Sequence, residues 1–188
     1  MTDYEENLDV GLEKVFDSFF SKKHFCMPAQ VIKFNSSEHT VNVQPAFKTL
    51  TSDSDIPKLL PVIEDVPVVY PGGGAFFVTF DIVPGHFVLL VFAERSLENW
   101  ANLGGIADPQ STRKCHLSDA IAIPGVLPLP VASTVSVDSN SIAIRDLANT
   151  IYVKVSATNV EIKAGLGIVT LNATTGQADI NGNLTVDV

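Results

Sequence analysis

The residues of this sequence that could carry out chemistry are few and lie on separate segments. The four histidines are His24, His39, His86 and His116. None belongs to a His-x-His or His-x-x-x-His pair, the spacings that place two imidazoles on one face of a strand or helix. We therefore expect no metal site and no cofactor.

The two cysteines, Cys26 and Cys115, are in no Cys-x-x-Cys arrangement. They either form one disulfide or remain as two thiols in a reduced compartment, and the second interpretation is favoured. No Gly-x-Ser-x-Gly motif is present to hold a nucleophilic serine. We assign no catalytic residue and expect that the protein is not an enzyme.

The sequence argues against a nucleic-acid site and against a phosphate-binding loop. The formal net charge is −9, and the 12 Lys and Arg residues form no cluster, so nucleic acid is not an expected partner. Pro71-Gly72-Gly73-Gly74 is rich in glycine, as phosphate-binding loops are. Those loops lead into a helix, whereas a strand pattern follows here, so a tight turn is predicted.

The first residues are acidic and polar, unlike a signal peptide, and no apolar run approaches the roughly 20 residues that span a bilayer. We expect synthesis and folding in the cytoplasm. Residues 3–21 have helical spacing of apolar side chains. The stripe predicted to dock contains Leu8, Leu12, Val15, Phe16 and Phe19. Docking on the same domain and docking on a neighbouring subunit or another protein are both compatible with this pattern.

From residue 27 the pattern changes to short strands. Strands are expected over residues 29–35, 40–47, 59–63, 66–70, 75–80 and 86–92. The segments between them are expected to be turns or loops over residues 36–39, 49–57, 71–74 and 81–85. A brief helix over residues 96–101 should bury Trp100 against the strands. Together these elements favour a closed Greek-key barrel of OB type over residues 27–126.

In the last third of the chain, apolar and polar residues alternate in short segments, the period of strands with one buried face. The alternation begins at Val135 and Val137 and continues to Val188. The predicted core positions are Val153, Val155, Val160, Ile162, Val169, Leu171 and Ile180. The last strand adds three apolar residues, which are predicted to contact a tip partner: Leu184, Val186 and Val188.

These inward side chains are small and few, too few to close a core within one chain. An intertwined homotrimeric β-helix, a prism, would solve this by taking its walls from other copies of the chain. A few edge strands of an ordinary β-sandwich fit the alternation equally well. The predicted organisation is thus mainly β: residues 1–26 as helix and linker, 27–126 as barrel and 127–188 as β-helix.

Three segments carry a resemblance to a known family: residues 66–76 (VPVVYPGGGAF), 83–100 (VPGHFVLLVFAERSLENW) and 113–125 (RKCHLSDAIAIPG). They resemble the barrel domain of the central spike proteins, or baseplate assembly protein V group, of contractile-tailed bacteriophages. Residues 179–186 resemble the strand repeats of that family. The resemblance implies a virion protein of the tail baseplate, whose barrel joins a tail hub protein at the N-terminal end. It also implies a triple-stranded β-helix that pierces the host outer membrane when the sheath contracts.

The chain departs from that family in one respect. Many members end in a tip where a His-x-His pair from each chain holds iron, but the last histidine here is His116. We therefore expect a blunt tip, or a tip covered by a separate PAAR-type protein. Only residues 127–130 separate barrel and β-helix, which leaves no room for the lysozyme domain of some phage spikes. The alternative function is an oligomeric β-solenoid that binds cell-surface polysaccharide.

Overall fold

The computed structural model describes residues 2–51, 54–132 and 134–181, and the side chains of residues 10–49, 56–132 and 134–181. The protein is mainly β, as expected, and its contacts divide it into two compact units, Met1–Leu127 and Pro128–Val188. In the first unit the helices are α1 (Thr2–Phe20) and α2 (Glu98–Leu103). Its strands are β1 (Cys26–Asn35), β2 (Thr40–Pro45), β3 (Lys48–Thr51), β4 (Ser54–Leu59), β5 (Ile63–Pro67), β6 (Gly72–Gly73), β7 (Phe76–Phe77), β8 (Phe87–Phe92) and β9 (Ala120–Pro124). The second unit contains α3 (Leu129–Ala132), β10 (Ser141–Arg145), β11 (Ile151–Ser156), β12 (Asn159–Ala164), β13 (Gly167–Asn172) and β14 (Ala178–Asn181).

Five strands of the first unit form a curled, barrel-like sheet in the order β5-β2-β1-β8-β9, with antiparallel neighbours throughout. The two ends of this sheet approach each other just after β5. There Val68 forms a parallel bridge with Ala122, and the Val69 N–H donates to the Ala122 carbonyl at 2.9 Å. The sheet is therefore partly closed, and the segment after β5 contacts β9.

The core of this unit lies inside the curl of the sheet. Alternate residues of each strand are buried, so that β8 contributes Val88, Leu90 and Phe92 while the residues between them are more exposed. The remaining buried apolar side chains are Met27, Ala29, Val31, Val41, Val43, Ile63, Val66, Ile82, Ala120 and Ala122. The apolar run predicted as a central strand is β8, which pairs with β1 on one side and β9 on the other.

Several predicted boundaries in this unit are wrong. Residues 49–57, expected to be a loop, belong mostly to the β3–β4 hairpin. Leu59 of that hairpin is exposed, and among the described residues neither of its strands pairs with any other strand. The strand expected over residues 59–63 is absent, since Pro61 has no N–H for a ladder, and β5 begins at Ile63 instead.

The strand expected over residues 75–80 is reduced to Phe76–Phe77, which pairs with Gly72–Gly73. Residue 72 must be glycine in this hairpin, because a methyl group there would overlap the Phe77 ring and the Phe76 carbonyl. The two phenylalanines are largely exposed, so no core packing extends the pair into a longer strand. The predicted tight turn, by contrast, is present at Gly74, whose φ of 60° is left-handed.

The second unit is an antiparallel meander, β10-β11-β12-β13-β14, in which each strand pairs with the next. Its turns contain residues that tolerate positive φ, among them Asn140, Asn149 and Gly165. The strand expected around Val135 and Val137 is absent. The turn that follows α3 engages the backbone there, since the Val135 N–H donates to the Ala132 carbonyl at 3.2 Å.

Candidate assembly surfaces

One face of the second unit is a continuous apolar surface, which we call the apolar face. The strand register aligns its side chains in two rows that cross all five strands. The first row is Ile144, Val153, Ile162, Val169 and Ile180. The second row is Ile142, Val155, Val160, Leu171 and Ala178. All seven residues predicted as the core of a β-helix lie in these two rows.

The apolar face is open in the single chain. Ile142 is 79% exposed and Ile144 67% exposed, and Ile162 near the centre of the sheet is still 49% exposed. Among the described residues of this unit, no side chain is fully buried. A folded sheet with one complete apolar face and no closed core needs a covering surface.

The opposite face of the same sheet is polar and internally bonded. Lys154 lies directly across from Glu161, with 3.0 Å between ammonium nitrogen and carboxylate oxygen, and the Tyr152 hydroxyl donates to the same carboxylate at 3.2 Å. Both Lys154 and Lys163 hold their ammonium groups 5.5 Å from the centre of the Tyr152 ring. The hydrogen bond to Glu161 raises the pKa of Lys154, and that from Lys154 lowers the pKa of Glu161.

This polar cluster stabilises the register of β11 against β12 and leaves the polar face charged. In the sequence, Lys154, Glu161 and Lys163 occupy polar positions of the alternation, which does not indicate that they converge on Tyr152. The opposite charges of Lys154 and Glu161, at matching places in adjacent strands, were the one feature of the sequence that could have indicated this cluster. Tyr152 is the only aromatic residue after residue 130, so the described part of this unit presents no aromatic cleft for a polysaccharide.

The irregular segment before β10 is attached to the sheet by Arg145. Its guanidinium forms an ion pair with Asp138 and donates to the Asn149 side chain at 3.0 Å and to the Ser136 hydroxyl at 3.3 Å. The hydrogen bond from Arg145 lowers the pKa of Asp138. Arg145 thereby joins the turn after β10 to the segment that precedes it.

The apolar stripe of α1 is a second uncovered surface. Leu12 is 47% exposed, Phe16 and Phe19 are each 58% exposed, and Val15 is 66% exposed. Leu8 lies in the helix, but its side chain is outside the described ones. Within the described chain the stripe remains uncovered, and its docking on a hub protein or a neighbouring subunit stays a prediction. The tip residues Leu184, Val186 and Val188 lie outside the described residues.

No group of three His, Cys, Asp or Glu side chains in the described part of the chain could hold a metal ion. His24 packs against Phe92, with 5.5 Å between ring centres, and burial together with the nearby His116 lowers the pKa of His24. Cys26 and Cys115 are both free thiols. No helix among the described residues is long and apolar enough to cross a membrane.

The prediction that Trp100 is buried is wrong, because its side chain is 47% exposed. Helix α2, which carries it, has no buried residue and is held instead by a polar contact at its start. There the Leu97 N–H donates to the buried carboxylate of Asp119 at 3.0 Å, and Arg113 donates to the same carboxylate at 2.8 and 3.1 Å. This anchor positions α2 without using Trp100, so the indole ring remains available on the surface.

Comparison with known proteins assigns the first unit to a protein family. Residues 27–125 match the family model of the phage protein Gp138 N-terminal domain. The match begins at the second residue of β1 and ends just after β9, so it spans the whole barrel-like sheet and more than half of the chain. No curated protein matches the chain.

Proposed function

Because the chain belongs to the family of phage proteins that carry a Gp138 N-terminal domain, we propose that it is the trimeric central spike of a contractile-tail baseplate. The family match supports a phage structural component and a place in the virion. In this role the spike joins the tail hub and pierces the host outer membrane when the sheath contracts. It catalyses no reaction, holds no cofactor and binds no nucleic acid.

The observation that carries this proposal is the open apolar face. Burying a half-exposed Val or Ile side chain stabilises an assembly by about 1 kcal/mol, half of the value for a fully exposed one. The two rows contain ten aliphatic positions in each chain, eight of which are Val or Ile. Because these positions are aliphatic and none is aromatic, three sheets can bring them together around one axis. The charged Lys154–Glu161 face then forms the outside of the prism, where its ion pair is accessible to water.

The strand order of the first unit supports an OB-type barrel as the other half of the spike. Antiparallel neighbours in the order β5-β2-β1-β8-β9, with a parallel contact between β9 and the segment after β5, follow the strand order expected of a five-stranded Greek-key barrel. A barrel of this kind, followed by an extended β-helix, is the arrangement that the spike family resemblance implies. In the proposal, the barrel and α1 belong to the hub end of the molecule.

The mass of the protein in solution tests the proposal. We expect light scattering at micromolar concentration to give three times the 20.2 kDa mass of one chain. The trimers should remain soluble, since every chain adds a formal charge of −9. A monomer would contradict the proposed spike, and a stable dimer would favour two sheets packed face to face as a β-sandwich.

The stripe on α1 gives a separate prediction. If Leu12, Phe16 and Phe19 dock on the hub, deleting residues 1–22 should leave a folded trimer that fails to join the baseplate. Phe16→Asp should have the same effect, because it places a charge in the apolar contact. Lys14→Asp, on the opposite side of the helix, is the matched control and should still assemble. Loss of the trimer on deletion would show instead that α1 belongs to the subunit interface.

A further inference from the structure

A groove of about 690 Å³ lies on the outside of the barrel-like sheet, beside Trp100. Glu38 in the β1–β2 turn, Thr40 at the start of β2, and Asp65 and Pro67 in β5 line one side of it, and α2 with the residues after it lines the other. The volume falls within the range of about 300–1,000 Å³ that is usual for ligand sites in proteins.

The groove lies where barrels of OB type bind their ligands. Barrels of OB type bind oligonucleotides and oligosaccharides on the face of their second and third strands, between the loop that joins strands one and two and the loop that joins strands four and five. Here those strands are β2 and β5, and the two loops are the β1–β2 turn and the long β8–β9 connection that contains α2. Both loops contribute residues to the groove, so its location is that of a general OB ligand site.

The side chains of the groove select between the two ligand classes. Among the described residues, no Lys or Arg lines it, whereas the carboxylates of Glu38 and Asp65 do, and these would repel a phosphate backbone. The same carboxylates accept hydrogen bonds from hydroxyl groups, and Trp100, which lines the groove and is 47% exposed, offers aromatic surface to a sugar. We propose that this groove binds an uncharged oligosaccharide, with one sugar ring stacked on Trp100 and its hydroxyls donating to Glu38 and Asp65.

Two carboxylates of the groove have hydrogen-bonding capacity free for such a ligand. Among the described residues, the Glu38 carboxylate accepts one hydrogen bond, from the Asn35 amide at 2.8 Å, and the Asp65 carboxylate has no partner. Each carboxylate can therefore accept further hydrogen bonds from ligand hydroxyl groups.

The groove is also held in shape before any ligand binds. Asp65 has a left-handed φ of 53°, and its N–H donates to the Asn42 side chain at 3.1 Å, which fixes the bulge in β5. On the other side, the contact between Asp119 and the Leu97 N–H fixes the start of α2. Preorganised walls reduce the entropy that binding must overcome.

The fluorescence of Trp100 tests the proposal directly, because it is the only tryptophan of the chain. The full-length protein is titrated with N-acetylchitohexaose and, separately, with maltohexaose, so that amino-sugar and plain hexose chains are distinguished. We expect millimolar or lower concentrations of at least one of them to shift the emission to shorter wavelength and to protect the indole from acrylamide quenching. No response to either saccharide would overturn the proposal.

Calorimetry with the saccharide that binds then locates the site. Trp100→Ala should weaken binding about tenfold, and Trp100→Phe should recover part of the loss. Asp65→Asn should also weaken binding, while keeping a residue that tolerates positive φ. Leu103→Ala is the matched control, since Leu103 is on the same helix, is 78% exposed and does not line the groove. This variant should bind the saccharide with the affinity of the wild type.

Two other probes distinguish a sugar site from a site for nucleic acid or for a basic protein segment. Single-stranded oligothymidylate and an oligoarginine peptide are titrated under the same conditions. Binding of the peptide in place of either saccharide would show that the groove docks a basic protein segment, which contradicts the sugar assignment. Equal saccharide affinity of wild type and a folded Trp100→Ala variant, with melting temperatures that match, would contradict it as well.

Discussion

Ile162→Asp is expected to convert the proposed trimer into monomers. Ile162 occupies the middle of the first apolar row, between Val153 and Val169 on the neighbouring strands. In the proposed trimer, three copies of the new carboxylate would meet in a space without water or a basic partner. An unpaired buried charge costs several kcal/mol even after relaxation, more than the burial that the site contributes. Light scattering of the purified variant measures the result.

The matched control is Ile168→Asp, the same substitution on the adjacent strand. Ile168 lies opposite Lys163, so its side chain is on the polar face of the sheet. A carboxylate there is solvated and next to a cation, and the trimer should persist with nearly unchanged thermal stability. Assembly of the Ile162→Asp variant would show that the apolar face is not the subunit interface.

Asp119→Ala is expected to lower the free energy of unfolding of the barrel-like unit by roughly 3 kcal/mol. The Asp119 side chain is 1% exposed and accepts three hydrogen bonds, two from Arg113 and one from the Leu97 N–H. Its removal leaves the Arg113 Nε–H and the Leu97 N–H without an acceptor, and it also releases the start of α2. Urea unfolding followed by circular dichroism measures the loss.

Glu98→Ala is the control for the loss of a carboxylate beside Arg113. The Glu98 side chain is 48% exposed and lies 3.4 Å from the guanidinium, so solvent screens the pair and its removal should cost less than 1 kcal/mol. An equal loss for Glu98→Ala and Asp119→Ala would contradict the role given to the buried carboxylate.

The Asp119 carboxylate also predicts that the stability of the barrel-like unit depends on pH. Burial acts to raise the pKa of Asp119, but the hydrogen bonds from Arg113 and Leu97 outweigh it and hold the pKa below its ordinary value. A carboxyl whose folded pKa is depressed contributes stability that is fully present above the unfolded pKa of about 4 and is lost as the pH falls through the folded pKa. The wild type should therefore lose stability below about pH 4 more steeply than Asp119→Asn does. Parallel stability curves for the two proteins would contradict this assignment.

Local patterns in the sequence were sufficient for much of the fold. The helical spacing of α1, the β1–β2 hairpin, the apolar run of β8 and the alternation in β11 to β14 are all found in the structure. These elements were predictable because each depends on its own periodicity and on short connections, which act within a few residues. The seven predicted core residues also share one face, since strand register follows from turns that the sequence makes visible.

Tertiary structure alone decided the features that depend on residues distant in sequence. The β3–β4 hairpin and the turn at Val135 were missed for a different reason, since their hydrogen bonds are local but follow no apolar period in the sequence. Whether Trp100 was buried could not be predicted, because its helix is anchored by Asp119, a residue nineteen positions away whose burial is visible only in three dimensions. The sequence by itself determined which side chains alternate. The packing of β2, β5 and α2 decided which of them face a groove, because a groove is formed only when separate segments meet.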